Sequence, residues 1–404
     1  MLKRLTKLLS IMMFVGGGLL PWNATADKSS TSPGSMLPAF NSNQIERLLV
    51  QSLLQINAGQ LREALNTVDQ LLQDAPNFRL AHLVRGDLLM TFAQQSTKLG
   101  DHQDAALSDF QEEAKVRIER HLASPHEGKI PDVLWHMSPE QRYAVVVDTT
   151  KSRLYVYQNR DSQLHHLVDY YITMGKNGSE KFTEGDKRTP LGIYIADKKL
   201  EHKLPDFYGE AAYPLNYPNP LDKRHGKKGH GIWLHGTPQD VYSRPPKASD
   251  GCVVIANPDI KALAPVLQQG ATPVIISNDL QWITPQEAEQ RRQALDQALE
   301  QWRRDWESQD TEQYLAHYAD TFFSDSGNLE KWKENKRRIQ AAKTKVQISL
   351  SNISMFRYPN APAPMVLVSF DQDYKSDILI DHMKKQQYWV WDDHRWKIMY
   401  EGPA

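Results

Sequence analysis

The chain has 404 residues, with 48 Lys and Arg against 49 Asp and Glu, a formal net charge of -1. That near-neutrality excludes the strongly basic footprint of a whole-chain nucleic-acid binder. With 40% hydrophobic and 24% charged residues it is composed like a globular protein, and its length suggests two or three domains.

At the N-terminus, Lys3, Arg4 and Lys7 precede the apolar run Leu8–Leu20, which ends in Pro21 and the small-residue triplet Ala24-Thr25-Ala26. This pattern predicts a secretory signal peptide over 1–26, cut before Asp27, and therefore a periplasmic protein. The run is shorter than the ~20 apolar residues of a spanning helix, so no membrane span is expected in the mature chain. Residues 27–40 are polar and rich in Pro and Ser, and are expected to be a disordered leader.

Helical periodicity then sets in. Ile45, Leu48, Leu49 and Ile56 share one face, followed by Leu61, Ala64, Leu65, Val68, Leu71 and Leu72. Residues 58–89, with Pro76 between two helical runs, resemble a tetratricopeptide hairpin, and 41–135 is predicted to be a helical region. A single hairpin of that kind fits a helical cap as well as a partner-binding array.

From Tyr143 the period changes to that of strands. Tyr143–Val147, Arg153–Tyr157, His166–Met174, Leu191–Ala196, Gly231–His235, Cys252–Ile255 and Val274–Ser277 are short Val-, Ile- and Tyr-rich runs between turn residues. Such spacing predicts a sandwich or barrel. Thr284-Pro285-Gln286-Glu287 then reads as a capping box opening an amphipathic helix through Leu295, Leu299, Trp302 and Trp306. Strand-like runs at Val346–Ile353, Pro364–Phe370, Gln386–Trp391 and Trp396–Tyr400 complete an α+β region.

Cys252 is the chain's one cysteine, so it forms no internal disulfide. It follows Ser249-Asp250-Gly251 and opens a predicted strand, while His235 closes the strand before it. Neighbouring strand ends bring thiol and imidazole together, the pairing by which a cysteine becomes a nucleophile. Gly251 permits a tight turn whose backbone amides converge on a developing oxyanion. The set implies acyl transfer.

IWLHGTP followed by ASDGCVV resembles the L,D-transpeptidase (YkuD-type) catalytic domain, and MGKNGSEKFTEGDKRTPLGIYIA, residues 174–196, resembles that family's approach segment. The resemblance places a β-sandwich catalytic domain at 140–280. It implies action on peptidoglycan stem peptides through a thioester, with Cys252 as nucleophile, His235 as base and the carbonyl of Gly236 orienting the imidazole. Ser249, Asp250, Gly251, His230, Tyr217 and Arg244 are expected to line the oxyanion hole and substrate site. Two positions depart from the family pattern, Asp250 where many members have histidine and Val254 where a polar residue is common. The C-terminal residues 284–404 resemble the NTF2-like cone of a subgroup that includes cell-shape L,D-carboxypeptidases.

No cofactor is expected. His165, His166, His225, His230 and His235 lack a metal-binding spacing on one element, so no metal is expected either. The implied partners are peptidoglycan stem peptides, with a protein partner or dimer contact assigned to the NTF2-like or helical region and no nucleic acid. Transfer to an amine (cross-linking) and transfer to water (carboxypeptidase trimming) both remain open. So do release of wall-attached protein by amidase chemistry and a non-catalytic peptidoglycan-binding scaffold. Tyr208, Tyr213 and Tyr217 are candidates for a lid over the cleft or for loop packing.

Overall fold

A computed structural model describes residues 42–92, 105–123, 126–268, 270–341 and 345–404. The expected signal peptide and leader lie outside these residues. The described chain is helical, then β-rich, then α+β, in the predicted order.

Helices Ser42–Asn57, Leu61–Asp74, Arg79–Phe92 and Ala105–Leu122 form the N-terminal layer. Leu49, Ala64, Val68, Leu71, Phe78, Ala81 and Leu88 make a common core, and Tyr242 and Ala256 of the next region complete it. The helical layer is thus seated on the β-rich part rather than standing alone. Residues after the helices turn to strands: Ile130–Pro131 pairs with Trp282–Ile283, and Leu134–His136 pairs with Val346–Arg357.

The central part is built on a five-stranded sheet in the order Gln163–Tyr171, Arg153–Arg160, Tyr143–Asp148, Pro273–Ser277, Gly192–Ile195. The Tyr143–Asp148 run is apolar without alternation because both faces of the sheet are covered. Val145, Val147, Leu154, Val156, Val274 and Ile276 face a sandwich core with Tyr213, Leu234 and Val253. Ala144, Val146, Tyr155, Tyr157, Ile193 and Ile275 face the opposite way, onto Phe356, Tyr358, Leu367, Tyr388 and Tyr400 of the C-terminal sheet.

Opposite the first sheet stands a small one in the order Val253–Val254, Trp233–His235, Ala212–Pro214. Its first pair is parallel, with Val253 beside Leu234 and Val254 beside His235.

The C-terminal part opens with helix Pro285–Ser308, whose Thr284 and Glu287 exchange capping hydrogen bonds as the sequence suggested. Leu295, Leu299, Trp302 and Trp306 bury its inner face against a curved seven-stranded sheet. Strands Val346–Arg357, Met365–Ser376, Ile380–Asp392 and Arg395–Pro403 are longer than their apolar runs. The ladder continues into polar residues once its register is set.

Candidate active site

The parallel register sets Val253 beside Leu234 and Val254 beside His235, so Cys252 stands level with Trp233 at the start of the pair and His235 closes it. The two are not at neighbouring strand ends as the sequence suggested; the two-residue offset puts both side chains on one face of the ladder. His235 is wholly buried and its Nδ1 lies 2.7 Å from the carbonyl oxygen of Gly236. A carbonyl only accepts, so Nδ1 carries the proton and Nε2 presents its lone pair. Nε2 has no hydrogen-bond partner among the described residues. Gly236 sits where a Cβ would collide with the Asn257 side chain, so the close approach of the backbone at this position requires glycine.

Cys252 follows a turn that is fixed on three sides. Gly251 has φ +126°, and a Cβ there would stand 2.8 Å from the carbonyl oxygen of Arg188. Ser249 Oγ donates to the Cys252 carbonyl at 2.7 Å and accepts the Gly251 amide at 3.1 Å. The buried Thr189 hydroxyl donates to the Gly251 carbonyl at 3.0 Å and accepts the Gly175 amide at 2.9 Å. Sγ of Cys252 accepts the Trp233 amide at 3.4 Å and donates to the Gly231 carbonyl at 3.5 Å.

Burial pushes the Cys252 thiol up to about 11, against a smaller downward pull from the Trp233 amide, Lys181 and Arg244. Burial likewise pushes the His235 imidazole down to about 4. Both groups therefore rest neutral near pH 7. The site is arranged for a base that takes the thiol proton during attack, not for a standing thiolate–imidazolium pair.

The other predicted site residues divide into two groups. Arg244 lies beside the reacting pair, its guanidinium 4.4 Å over the Phe207 ring and donating to the Phe207 carbonyl at 3.3 Å. Asp250 pairs with Lys176 at 3.1 Å on the exposed rim. His230 is far more open, with 82% of its side chain exposed and its Nδ1 3.8 Å from Glu184. Tyr217 is a core residue: its ring packs edge-on against Tyr194, and its hydroxyl donates to the Lys228 carbonyl at 3.2 Å. Val254 is buried in the small sheet beside His235.

The three lid tyrosines also separate. Tyr213 joins Tyr217 in the sandwich core, while Tyr208 stands edge-on to the imidazole with 5.1 Å between ring centroids. Tyr208 also packs on Trp233, and Phe207 lies 6.0 Å from the imidazole. Phe207, Trp233 and Thr189 were not singled out from the sequence. Thr189 carried a signal, its place beside Pro190 in the approach segment, but Phe207 and Trp233 were two aromatics among many.

A two-sheet sandwich with His235 and Cys252 two residues apart on one face of a parallel pair defines an L,D-transpeptidase catalytic domain. The family model of that description, YkuD, matches residues 142–276, and the model described as the Cds6 C-terminal NTF2-like domain matches residues 294–402. The chain belongs to this family, in the group that carries an NTF2-like C-terminal domain. It is similar to Bd1075 of Bdellovibrio bacteriovorus at 32% identity and TM-score 0.60, over 68% of this chain and 98% of that one. It is also similar to the helical cell shape determining protein Pgp2 of Campylobacter jejuni, at 27% identity and TM-score 0.58, over 67% and 95% of the respective chains. No curated protein sequence matches it.

Proposed function

We propose that this chain is an exported cysteine enzyme that trims peptidoglycan stem peptides as an L,D-carboxypeptidase. The observation that carries the reading is the buried His235 imidazole, its Nδ1 proton committed to Gly236 and its Nε2 without a partner among the described residues, on the face of the parallel ladder that also presents Cys252. As Sγ attacks the carbonyl carbon of the diaminopimelate residue, Nε2 takes the thiol proton. The tetrahedral oxyanion is met by the amides of the Ser249–Cys252 turn other than that of Gly251, which donates to Ser249 Oγ. Collapse breaks the bond to D-Ala, whose amine leaves with the proton from the imidazolium, and a thioester remains. Water then attacks the thioester, Nε2 takes one of its protons, and the thiol is regenerated with the tripeptide.

Water is favoured over a second stem peptide because Phe207 and Tyr208 roof the imidazole. That leaves less room on the acceptor side for a large amine. Kinship with a protein named for determining helical cell shape supports a role in wall trimming, and the N-terminal pattern of residues 1–26 supports export. Incubation with a tetrapeptide muropeptide followed by mass analysis tests the reading. Tripeptide and free D-Ala are expected. Dimers joined between the third residues of two stems would make the chain a cross-linking enzyme, and an inert tetrapeptide would refute both.

A further inference from the structure

We propose that the N-terminal helical layer is a positioning device for the active site, in which the buried pair Glu113 and Arg117 fixes the loop between His235 and Cys252 and so places Arg244 against the reacting groups. The kinetic part of this proposal rests on the hydrolase reading above; the chemical part does not.

The loop leaves His235 through Gly236 and returns to Cys252 through Ser249, so its path sets both ends of the catalytic pair. It is held from two sides: within the sandwich Lys247–Ser249 pairs with Met174–Gly175 and Asn257 Nδ2 donates to the Thr237 carbonyl, and the helical layer adds contacts of its own. Near its first half, the amide of Tyr242 donates to the Asn77 carbonyl at 3.2 Å and Asn77 Nδ2 donates to the Gln239 carbonyl at 2.9 Å. The Tyr242 ring packs on Phe78 of the helical core, with centroids 4.9 Å apart.

At Ser243 and Arg244 the helical layer acts through a buried ion pair. Glu113 and Arg117, one turn apart on helix Ala105–Leu122, are 1% and 3% exposed. Ser243 Oγ donates to Glu113 Oε1 at 2.6 Å, and Arg117 donates to the same oxygen at 3.0 and 3.2 Å. The Arg117 guanidinium lies 3.8 Å over the ring of Tyr171, whose hydroxyl donates to the Arg244 carbonyl at 2.8 Å. Thr173 donates to that carbonyl as well, at 2.9 Å. Consecutive residues, Ser243 and Arg244, are therefore both referred to one buried ion pair on another layer.

A buried ion pair is an expensive way to join two layers, since apolar side chains of the same volume pack at least as stably. What an ion pair adds is direction: it fixes the Ser243 hydroxyl and the Tyr171 ring in one arrangement. The Arg244 side chain leaves this fixed backbone toward the site and rests on Phe207, which flanks His235.

The single cysteine gives a readout that needs no substrate. Besides His235, the charged groups acting on Cys252 are Asp250, Lys181 and Arg244, and the Arg244 charge favours the thiolate. If the brace slackens, Arg244 drifts away and the thiol titrates higher. Iodoacetamide alkylation of the full chain would be followed across pH for wild type, Ser243→Ala, Glu113→Gln and the double variant, with melting temperatures as controls. Both single variants are expected to shift the profile to higher pH, with alkylation at pH 8 slower by about threefold. The double variant should be no slower than the more affected single, as for residues acting as one unit. Ser243→Thr, which keeps the hydroxyl, should return the profile to that of wild type.

The tripeptide-forming kcat/KM of the two singles should fall by about tenfold with the protein still folded. An unmoved alkylation profile in both folded singles would overturn the brace, whatever happens to stability. A shifted profile in an enzyme whose wild type yields no tripeptide would leave the brace standing and sink the hydrolase reading instead.

Discussion

His235 Nδ1 and the carbonyl of its own neighbour Gly236 lie 2.7 Å apart, so the imidazole is oriented by the backbone rather than by a carboxylate. Gly236→Ala should disturb this geometry because the new methyl runs into Asn257 Oδ1, which accepts the Glu210 amide at 3.0 Å. Overpacking of this kind costs about 1–3 kcal/mol. Turnover should fall by at least about tenfold, because the base loses its aim. Adding Asn257→Ala should recover part of both losses, and thermal unfolding with D-Ala release measures them. A Gly236→Ala enzyme of unchanged stability and rate would show that the loop yields freely.

The protonation states give a second prediction. With the thiol pushed up to about 11 and the imidazole down to about 4, Cys252 alkylation should be slow at pH 6 and climb steadily through pH 10. A rate already at its maximum at pH 6 would mean a preformed thiolate. His235→Ala should lower turnover by about a hundredfold or more through loss of the base.

Glu401 supplies a third test, in the NTF2-like domain. Burial pushes its carboxyl up, but Lys385, Lys336 and the hydrogen bond from Gln387 outweigh this and hold it at about 2, against an ordinary 4.5. A depressed carboxylate adds stability that is present above the unfolded value and lost as pH falls toward the folded one. The domain should therefore lose about 3 kcal/mol between pH 4.5 and 2 from this residue. Glu401→Gln should flatten that part of the stability curve. It should also destabilise at pH 7 by about 3–5 kcal/mol, because Lys385 is left buried without its partner. Denaturant melts at several pH values would check both effects.

A truncation after Ser277 should be insoluble. Ala144, Val146, Tyr155, Tyr157 and Ile275 form a sheet face that the C-terminal sheet covers, and removing 278–404 leaves it bare. The fraction of truncated chain that stays soluble decides the matter, and a monodisperse truncated enzyme would contradict it.

The meeting of His235 and Cys252 was legible because its signal is local: His-Gly and Ser-x-Gly-Cys each lie within a few residues, and strand periodicity flanks both. What escaped notice depended on distant partners. The apolar Tyr143–Val147 run identified a strand but not the C-terminal sheet lying on its second face. Leu134–His136 fell within the span expected to be helical, yet pairs with Val346–Arg357, more than 200 residues later, and no local pattern announces such a pairing. Strand Tyr318–Ser324 and helix Leu329–Ala341 also passed unread, the first because adjacent Phe322 and Phe323 break the alternation that marks a half-buried strand. Tyr217 and Tyr208 lie in the same aromatic, Pro-rich stretch and have opposite fates, core and site wall. Only the turn geometry between them decides which.

The pairing of Leu134–His136 with Val346–Arg357 has a consequence for ancestry. Val346–Arg357, at one side of the C-terminal sheet, is bordered by a segment encoded ahead of the catalytic domain. A recombination event that moved the C-terminal domain alone would leave that border with unpaired backbone donors and acceptors, an invitation to pair with another copy. The stretch from Leu134 to the C-terminus is therefore expected to be inherited as one block.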